Sequence, residues 1–221
     1  SDFMIVQVAK IISNGYGIGW ADGKTFFIPF TIPGEIVKIE SSRKEKSHFT
    51  AEKFEIIKFS KFRREPICVH YTKCGGCSFQ HIEYEQQLEI KKDIFRDLLR
   101  QNGIEPGFEL KILSTAEKGQ RTRAKVFIKD GKPAFRSYRS NELVEFDNCP
   151  VLHPEFMERM RQDARKRKGD VQYEFSNVSK DLMPPMESVT KTVNGRKIKI
   201  FRNSFFQSSE EGAGILCSLL Q

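Results

Sequence analysis

Apolar and polar residues alternate through residues 3–59 in short runs (FMIVQVAKI, WADGKTFFIPF, EIVKIES, HFTAEKFEIIKF), separated by stretches rich in Gly, Asn, Asp and Pro. Period-two patterning broken at such short intervals predicts strands, and about five of them make a small antiparallel barrel. The segment SSRKEKS, residues 41–47, reads as a charged loop between two strands. From His81 to Asn102 the period changes: Tyr84, Leu88, Ile94, Phe95, Leu98 and Leu99 recur at helical steps and Gly103 follows, which predicts one amphipathic helix. Residues 110–146 return to strands, with an Asp-Gly hairpin turn inside KVFIKDGKPAFRSY. PEFMERMRQDARKRKG reads as a helix entered through Pro154. VQYEFSN, ESVTKTV and RKIKIF are strands, the last two joined by a tight Asn194-Gly195 turn, and a final helix begins under a Ser208 or Ser209 cap. The pattern divides the chain into an all-β barrel over 1–62, a mixed α+β domain over 63–203 and a last segment over 204–221.

Charge changes the picture first. The 221 residues carry 37 Lys and Arg against 29 Asp and Glu, a net charge of +8, which favours a polyanionic partner such as nucleic acid. Lys53, Lys58, Lys61, Arg63 and Arg64 form a basic approach to the second domain. Two readings stand for Ser13–Trp20. Tyr16 and Trp20 could stack on bases, or the glycines serve strand bends while Trp20 packs in the core. No apolar run approaches the ~20 residues that span a bilayer, and the N-terminus lacks a secretion-signal pattern, so a cytoplasmic location away from membranes is expected.

The cysteines carry the candidate chemistry. Cys68, Cys74 and Cys77 form C-x5-C-G-G-C, and Cys149 follows in an Asp-Asn-Cys-Pro segment, so four thiolates could converge on one centre. Gly75 and Gly76 let the backbone turn tightly between two ligands and offer N–H groups to sulfur. Four thiolates suit zinc or an iron–sulfur cluster; the single short knuckle leans toward a cluster. A redox dithiol at Cys74 and Cys77 would need a thioredoxin-like βαβ setting, which the pattern lacks. Cys217 falls on the apolar face of the last helix and is expected to pack there.

The stretch from Cys68 through Cys74-Gly-Gly-Cys77-Ser-Phe-Gln80-His81, with Tyr84, Gln87 and Leu88 after it, resembles the cysteine motif of bacterial RNA uracil-5 methyltransferases. Residues 13–19, Phe27-Ile28-Pro29 and Ile32-Pro33-Gly34-Glu35 resemble the same family's TRAM domain, an OB-like barrel. The resemblance implies a [4Fe-4S] cluster on Cys68, Cys74, Cys77 and Cys149 and structured RNA, rRNA or tRNA, as partner. It places Arg121, Arg123 and Arg136 on the substrate side, beside Tyr16, Lys53, Arg63 and Arg64 of the basic, aromatic segments. Asn203–Ser209 resembles the family's F-x-Q-x-N motif, which makes Gln207 an S-adenosylmethionine contact, although Ser209 stands where asparagine is usual. Nothing after Gln207 supplies a glycine-rich Rossmann-like turn, a catalytic cysteine or a base. The expectation is therefore a monomeric, catalytically inactive portion of such an enzyme, its Rossmann-like methyltransferase domain absent or only begun. A self-standing RNA-binding iron–sulfur or zinc protein is the alternative.

Overall fold

A computed structural model describes residues 3–184 and 186–220. They form two compact units, each assembled from two separate stretches of chain: residues 1–66 with 77–112, and residues 67–76 with 113–221. This division is not the linear one expected at 62/63 and 203/204, because the helix after the cysteine motif belongs with the first unit and the motif's own loop with the second.

The first unit is built on six strands: β1 (Met4–Gln7), β2 (Lys10–Ile11), β3 (Gly17–Ala21), β4 (Lys24–Ile28), β5 (Ile36–Lys44) and β6 (Phe49–Lys58). Their order is β1-β5-β6-β4-β3-β2, so the edge strands are consecutive in sequence and the sheet is open along its ladder. Two features depart from the expected closed antiparallel barrel. β4 and β6 pair in parallel, Phe26 beside Phe49 and Phe27 beside Thr50, and there are six strands. The predicted charged loop is also mostly strand: Ser41–Lys44 extend β5 and pair with Phe49–Lys53 of β6. Ser41, Arg43 and Lys44 are exposed and Ser42 is half-buried, and with no apolar residue among them the alternation that marks a strand is missing.

Inward residues Val6, Val8, Phe26, Ile28, Val37, Ile39 and Ala51 make the core, each large side chain contributing about 1.5–3 kcal/mol of apolar burial. A Cβ added to Gly19 would run into the Gln7 carbonyl oxygen, and one at Gly17 into Thr31 Oγ1. Both glycines thus serve close backbone approach. Trp20 is 56% exposed and not in the core.

α1 (Tyr84–Gln101) closes the first unit. Its Ile90 packs with Ile11, Ile32 and Ile82, and Gly103 at φ 74° ends it, its N–H donating to the Arg100 carbonyl.

The second unit holds β7 (Arg123–Lys129), β8 (Lys132–Arg136), β9 (Leu143–Glu145), α2 (Pro154–Ala164), β10 (Gly169–Phe175), β11 (Leu182–Met183), β12 (Ser188–Val193), β13 (Arg196–Phe201) and α3 (Glu210–Leu219). Five strands join as β11-β10-β7-β8-β9, and β12-β13 form a separate hairpin. Both short turns are as predicted: Asp130-Gly131 and Asn194-Gly195 all have positive φ, which two-residue hairpins demand. Pro154 stands at the start of α2, and Ser209 Oγ caps α3 by accepting from Gly212 N–H. Ala124, Val126 and Ile128 of β7 pack with Tyr173 and Phe175 of β10 against Phe156, Met157 and Met160 of α2. Residues 110–120 form no strand, and Cys217 is exposed rather than packed, since α3 buries only Ala213. No helix among the described residues is long and apolar enough to cross a membrane.

Candidate cysteine site and nucleic-acid interface

In the second unit, residues 67–76 form a tight loop that hydrogen bonds hold locally and at a distance. Tyr71 N–H donates to the Cys68 carbonyl, and Cys74 N–H donates to that of His70 at 2.8 Å. Four further interactions lace this loop to the end of β8. Gly75 N–H donates to the Arg136 carbonyl (2.9 Å), Tyr138 N–H and Ser137 Oγ–H donate to the Lys73 carbonyl (2.7 and 3.0 Å), and Cys74 forms an isolated β-bridge with Ser137. A Cβ on Gly75 would press on the Arg136 carbonyl oxygen at 3.2 Å, so the glycine is what permits the approach.

Cys68, Cys74 and Cys149 are half-buried within this unit, and half-buried Cys77 begins the second stretch of the first unit. Gly76 N–H points to Cys74 Sγ at 3.4 Å, the amide-to-sulfur contact that favours a thiolate. All-thiol donors with an amide on one sulfur fit a soft metal or cluster in chemistry. The expected convergence is a separate matter: among the described residues no three His, Cys, Asp or Glu side chains gather closely enough to hold a metal ion.

The basic residues separate into two kinds. Arg63 is committed to structure: its guanidinium grips fully buried Glu35 through Nε–Oε1 (2.7 Å) and Nη2–Oε2 (2.8 Å) and also reaches the Phe30 carbonyl. Burial alone would raise the Glu35 pKa, but hydrogen bonds from Arg63 and from the Ile32 and Ser60 N–H groups bring it below the ordinary carboxylate value. Arg123 likewise holds buried Glu174 at 3.0 Å. Lys53 is open to solvent, paired with Glu40 at 2.7 Å; Arg121 and Arg136 are exposed. Arg64 Nε donates to the Gln80 carbonyl. Half-buried Tyr16 lies 6.2 Å from Phe27, whose other neighbour is the His48 ring, stacked at 3.8 Å.

Gln207 is exposed in the loop before α3. That loop is anchored: Thr122 N–H donates to the Ser208 carbonyl, and Arg121 bridges Ser209. Beneath it lies a buried charge cluster that the sequence reading missed. Lys191 Nζ, with no solvent exposure, sits 2.5 Å from Glu174, 3.6 Å from Glu210 at the start of α3, and donates to Thr122 Oγ1 at 2.8 Å. Its ammonium also lies 4.8 Å from the Phe206 ring centre. The Glu174 contacts are ion pairs without well-directed hydrogen bonds. Burial raises the Glu174 pKa against the opposing pull of Lys191 and Arg123. The signal for Lys191 was its parity, since it shares the inward phase of Val189 and Val193 in β12.

Residues 4–62 match the family model of the TRAM domain of tRNA (uracil(54)-C(5))-methyltransferase. The 23S rRNA (uracil(1939)-C(5))-methyltransferase RlmD of Halomonas elongata is 37% identical over 153 residues, covering 66% of this chain and 32% of that protein. RlmD of Francisella tularensis subsp. novicida is 37% identical over 157 residues, covering 67% and 35%. The chain carries, over residues 4–62, the TRAM domain of the tRNA/rRNA uracil-C5 methyltransferase family and is similar to RlmD proteins beyond it. It spans about a third of the length of these family relatives. In fold it resembles the crystal structure of Pyrococcus abyssi tRNA (uracil-54, C5)-methyltransferase in complex with S-adenosyl-L-homocysteine, with a TM-score of 0.70 and 20% identity, over 97% of this chain and 64% of that one.

Proposed function

We propose that this chain is the RNA-binding, iron–sulfur portion of an S-adenosylmethionine-dependent enzyme that methylates uracil C5 in 23S rRNA or tRNA, working as a monomer in the cytoplasm. The observation that carries this reading is the 37% identity to two RlmD proteins over more than 150 residues. The +8 charge and the solvent-facing Lys53, Arg121 and Arg136 support an RNA partner. Arg63 and Arg123 serve that surface indirectly, by holding Glu35 and Glu174 in place.

Cys68, Cys74, Cys77 and Cys149 would hold a [4Fe-4S] cluster, which would act as a cross-link between distant parts of the chain. The Gly76 N–H on Cys74 Sγ stabilises the thiolate that such ligation needs. Gln207 offers its side-chain amide to the methyl donor from a loop that Thr122 and Ser209 anchor. No residue of the chain is assigned as the nucleophile or the base of uracil methylation, so the chain by itself binds RNA without transferring a methyl group.

The test is to titrate the purified chain with 23S rRNA fragments and tRNA across salt concentrations and to assay methyl transfer in parallel. Binding that weakens steeply with salt, with no methyl transfer, is expected. Salt-independent or absent RNA binding overturns the RNA reading, and methylated uridine overturns the assignment of catalysis to other residues.

A further inference from the structure

One face of the five-stranded sheet in the second unit packs on α2. Because Ala124, Val126 and Ile128 of β7 point inward, Lys125 and Phe127 point the other way. On that opposite face lies an open cleft of about 660 Å³, lined among others by Lys125, Phe127, Arg136, Tyr138, Arg139 and Asn141. The volume is on the scale of a small-molecule site. Its chemistry is not that of an apolar ligand pocket: among the lining residues, three cations stand against one carboxylate, Asp170, which pairs with Lys125 at 3.3 Å.

The floor is already stacked. The Arg136 guanidinium lies 4.4 Å from the Phe127 ring centre, and its Nη1 donates to Asn141 Oδ1 at 2.6 Å, so its orientation is fixed from below and from the side. A guanidinium backed by an aromatic ring offers a flat, cationic surface to a further π system. The wall is equally fixed, since Ser137 and Tyr138 are tied to the Lys73 carbonyl and Gly75 to the Arg136 carbonyl.

We propose that this cleft seats one unpaired nucleotide of an RNA, its base laid on the Arg136 guanidinium and its flanking phosphates met by Lys125 and Arg139. The inference rests on the RNA-binding reading above and adds a defined site to it. A base can reach this surface only when it is splayed out of a helix, so the cleft selects single-stranded or looped RNA over duplex. The cysteine loop forms one side of the cleft through Gly75 and Gly76.

The experiment uses the whole chain and a short single-stranded RNA carrying 2-aminopurine, beside the same RNA annealed into a duplex. Arg136→Ala, Phe127→Leu and Lys125→Ala are compared with wild type and with Lys197→Ala on β13, away from the cleft; circular dichroism checks folding. Quenching of 2-aminopurine by wild type is expected, with binding about tenfold weaker for Arg136→Ala and Phe127→Leu and unchanged for Lys197→Ala. Exposed Lys125→Ala keeps the test open if the other two misfold, and it too is expected to weaken binding. If all folded cleft variants bind and quench like wild type while the chain still binds RNA, the cleft proposal fails alone. Absence of binding to any RNA overturns both the cleft and the broader reading.

Discussion

Lys191 and Glu174 meet at 2.5 Å with both side chains shut off from solvent, joining the hairpin strand β12 to β10 of the five-stranded sheet beneath the loop that carries Gln207. Lys191→Met leaves buried Glu174 with Arg123 as its one remaining cation and takes the cation from Glu210 as well, so a loss of about 3 kcal/mol is expected. The double variant Lys191→Met, Glu174→Leu should recover part of that loss, because it removes the fully buried carboxylate, while Arg123, which loses its partner, is partly open to water. Urea unfolding of the single and double variants checks this; equal losses would show that the ion pair is incidental.

The Arg63–Glu35 grip gives a second stability prediction. Arg63→Ala leaves the Glu35 carboxylate with its two backbone donors and no cation, and a loss of about 3 kcal/mol is expected. The Glu35 pKa is lowered in the folded state, so its contribution is present above the unfolded carboxylate pKa and disappears as pH falls through the folded value. The difference between wild type and Arg63→Ala in thermal melts should therefore shrink in acid.

His81 adds a pH dependence of its own. Burial, with the nearby Arg63 charge, lowers its pKa from 6.5 to about 4. Between those values the unfolded chain takes up a proton that the folded one refuses, so stability is full above about pH 6.5 and falls on the way to pH 4, by roughly 3 kcal/mol in total. His81→Gln should flatten the stability–pH curve in that window; an unchanged slope would assign the effect elsewhere.

Gly19→Ala tests the strand crossing directly. The added methyl meets the Gln7 backbone, which cannot step aside as a side chain can. A loss of about 2 kcal/mol or more is expected, against almost none for Trp20→Ala, whose ring is exposed. Comparable losses at the two positions would contradict this reading of the first unit.

For the cysteines, anaerobic reconstitution of the chain with iron and sulfide should yield a brown protein with a broad band near ~400 nm. Serine at Cys68, Cys74, Cys77 or Cys149 should each abolish or shift the band, and serine at exposed Cys217 should not. A colourless protein binding one zinc per chain would instead favour a zinc site.

The hairpins at Asp130-Gly131 and Asn194-Gly195, α1 and the Pro154 entry to α2 were legible because each rests on local chemistry: a backbone needing positive φ, a helical period, a fixed φ at a first turn. The structural role of Arg63 was not legible, because a basic residue next to other basic residues reads as surface, and only the fold brings it to Glu35, 28 residues away. Lys191 escaped for a similar reason, although its parity with Val189 and Val193 marked it as inward. The cysteine spacing was legible as a pattern, but not the ties between the Lys73–Gly75 segment and Arg136–Tyr138, since a glycine records tolerance for a close neighbour without naming it.

Those ties have a consequence for synthesis. Lys73 precedes its partner Ser137 by 64 residues, so at ribosomal speeds of about 5–20 residues per second the segment waits roughly 3–13 seconds before its clasp emerges. During that interval Cys68, Cys74 and Cys77 travel on an unfinished nascent chain while Cys149 has yet to be translated. Folding of the second unit is thus timed by its later half, and the ribosome delivers the fourth thiol after β7, β8 and β9 but before β10 and β11, so a complete set of thiols is on hand while the sheet is still being assembled.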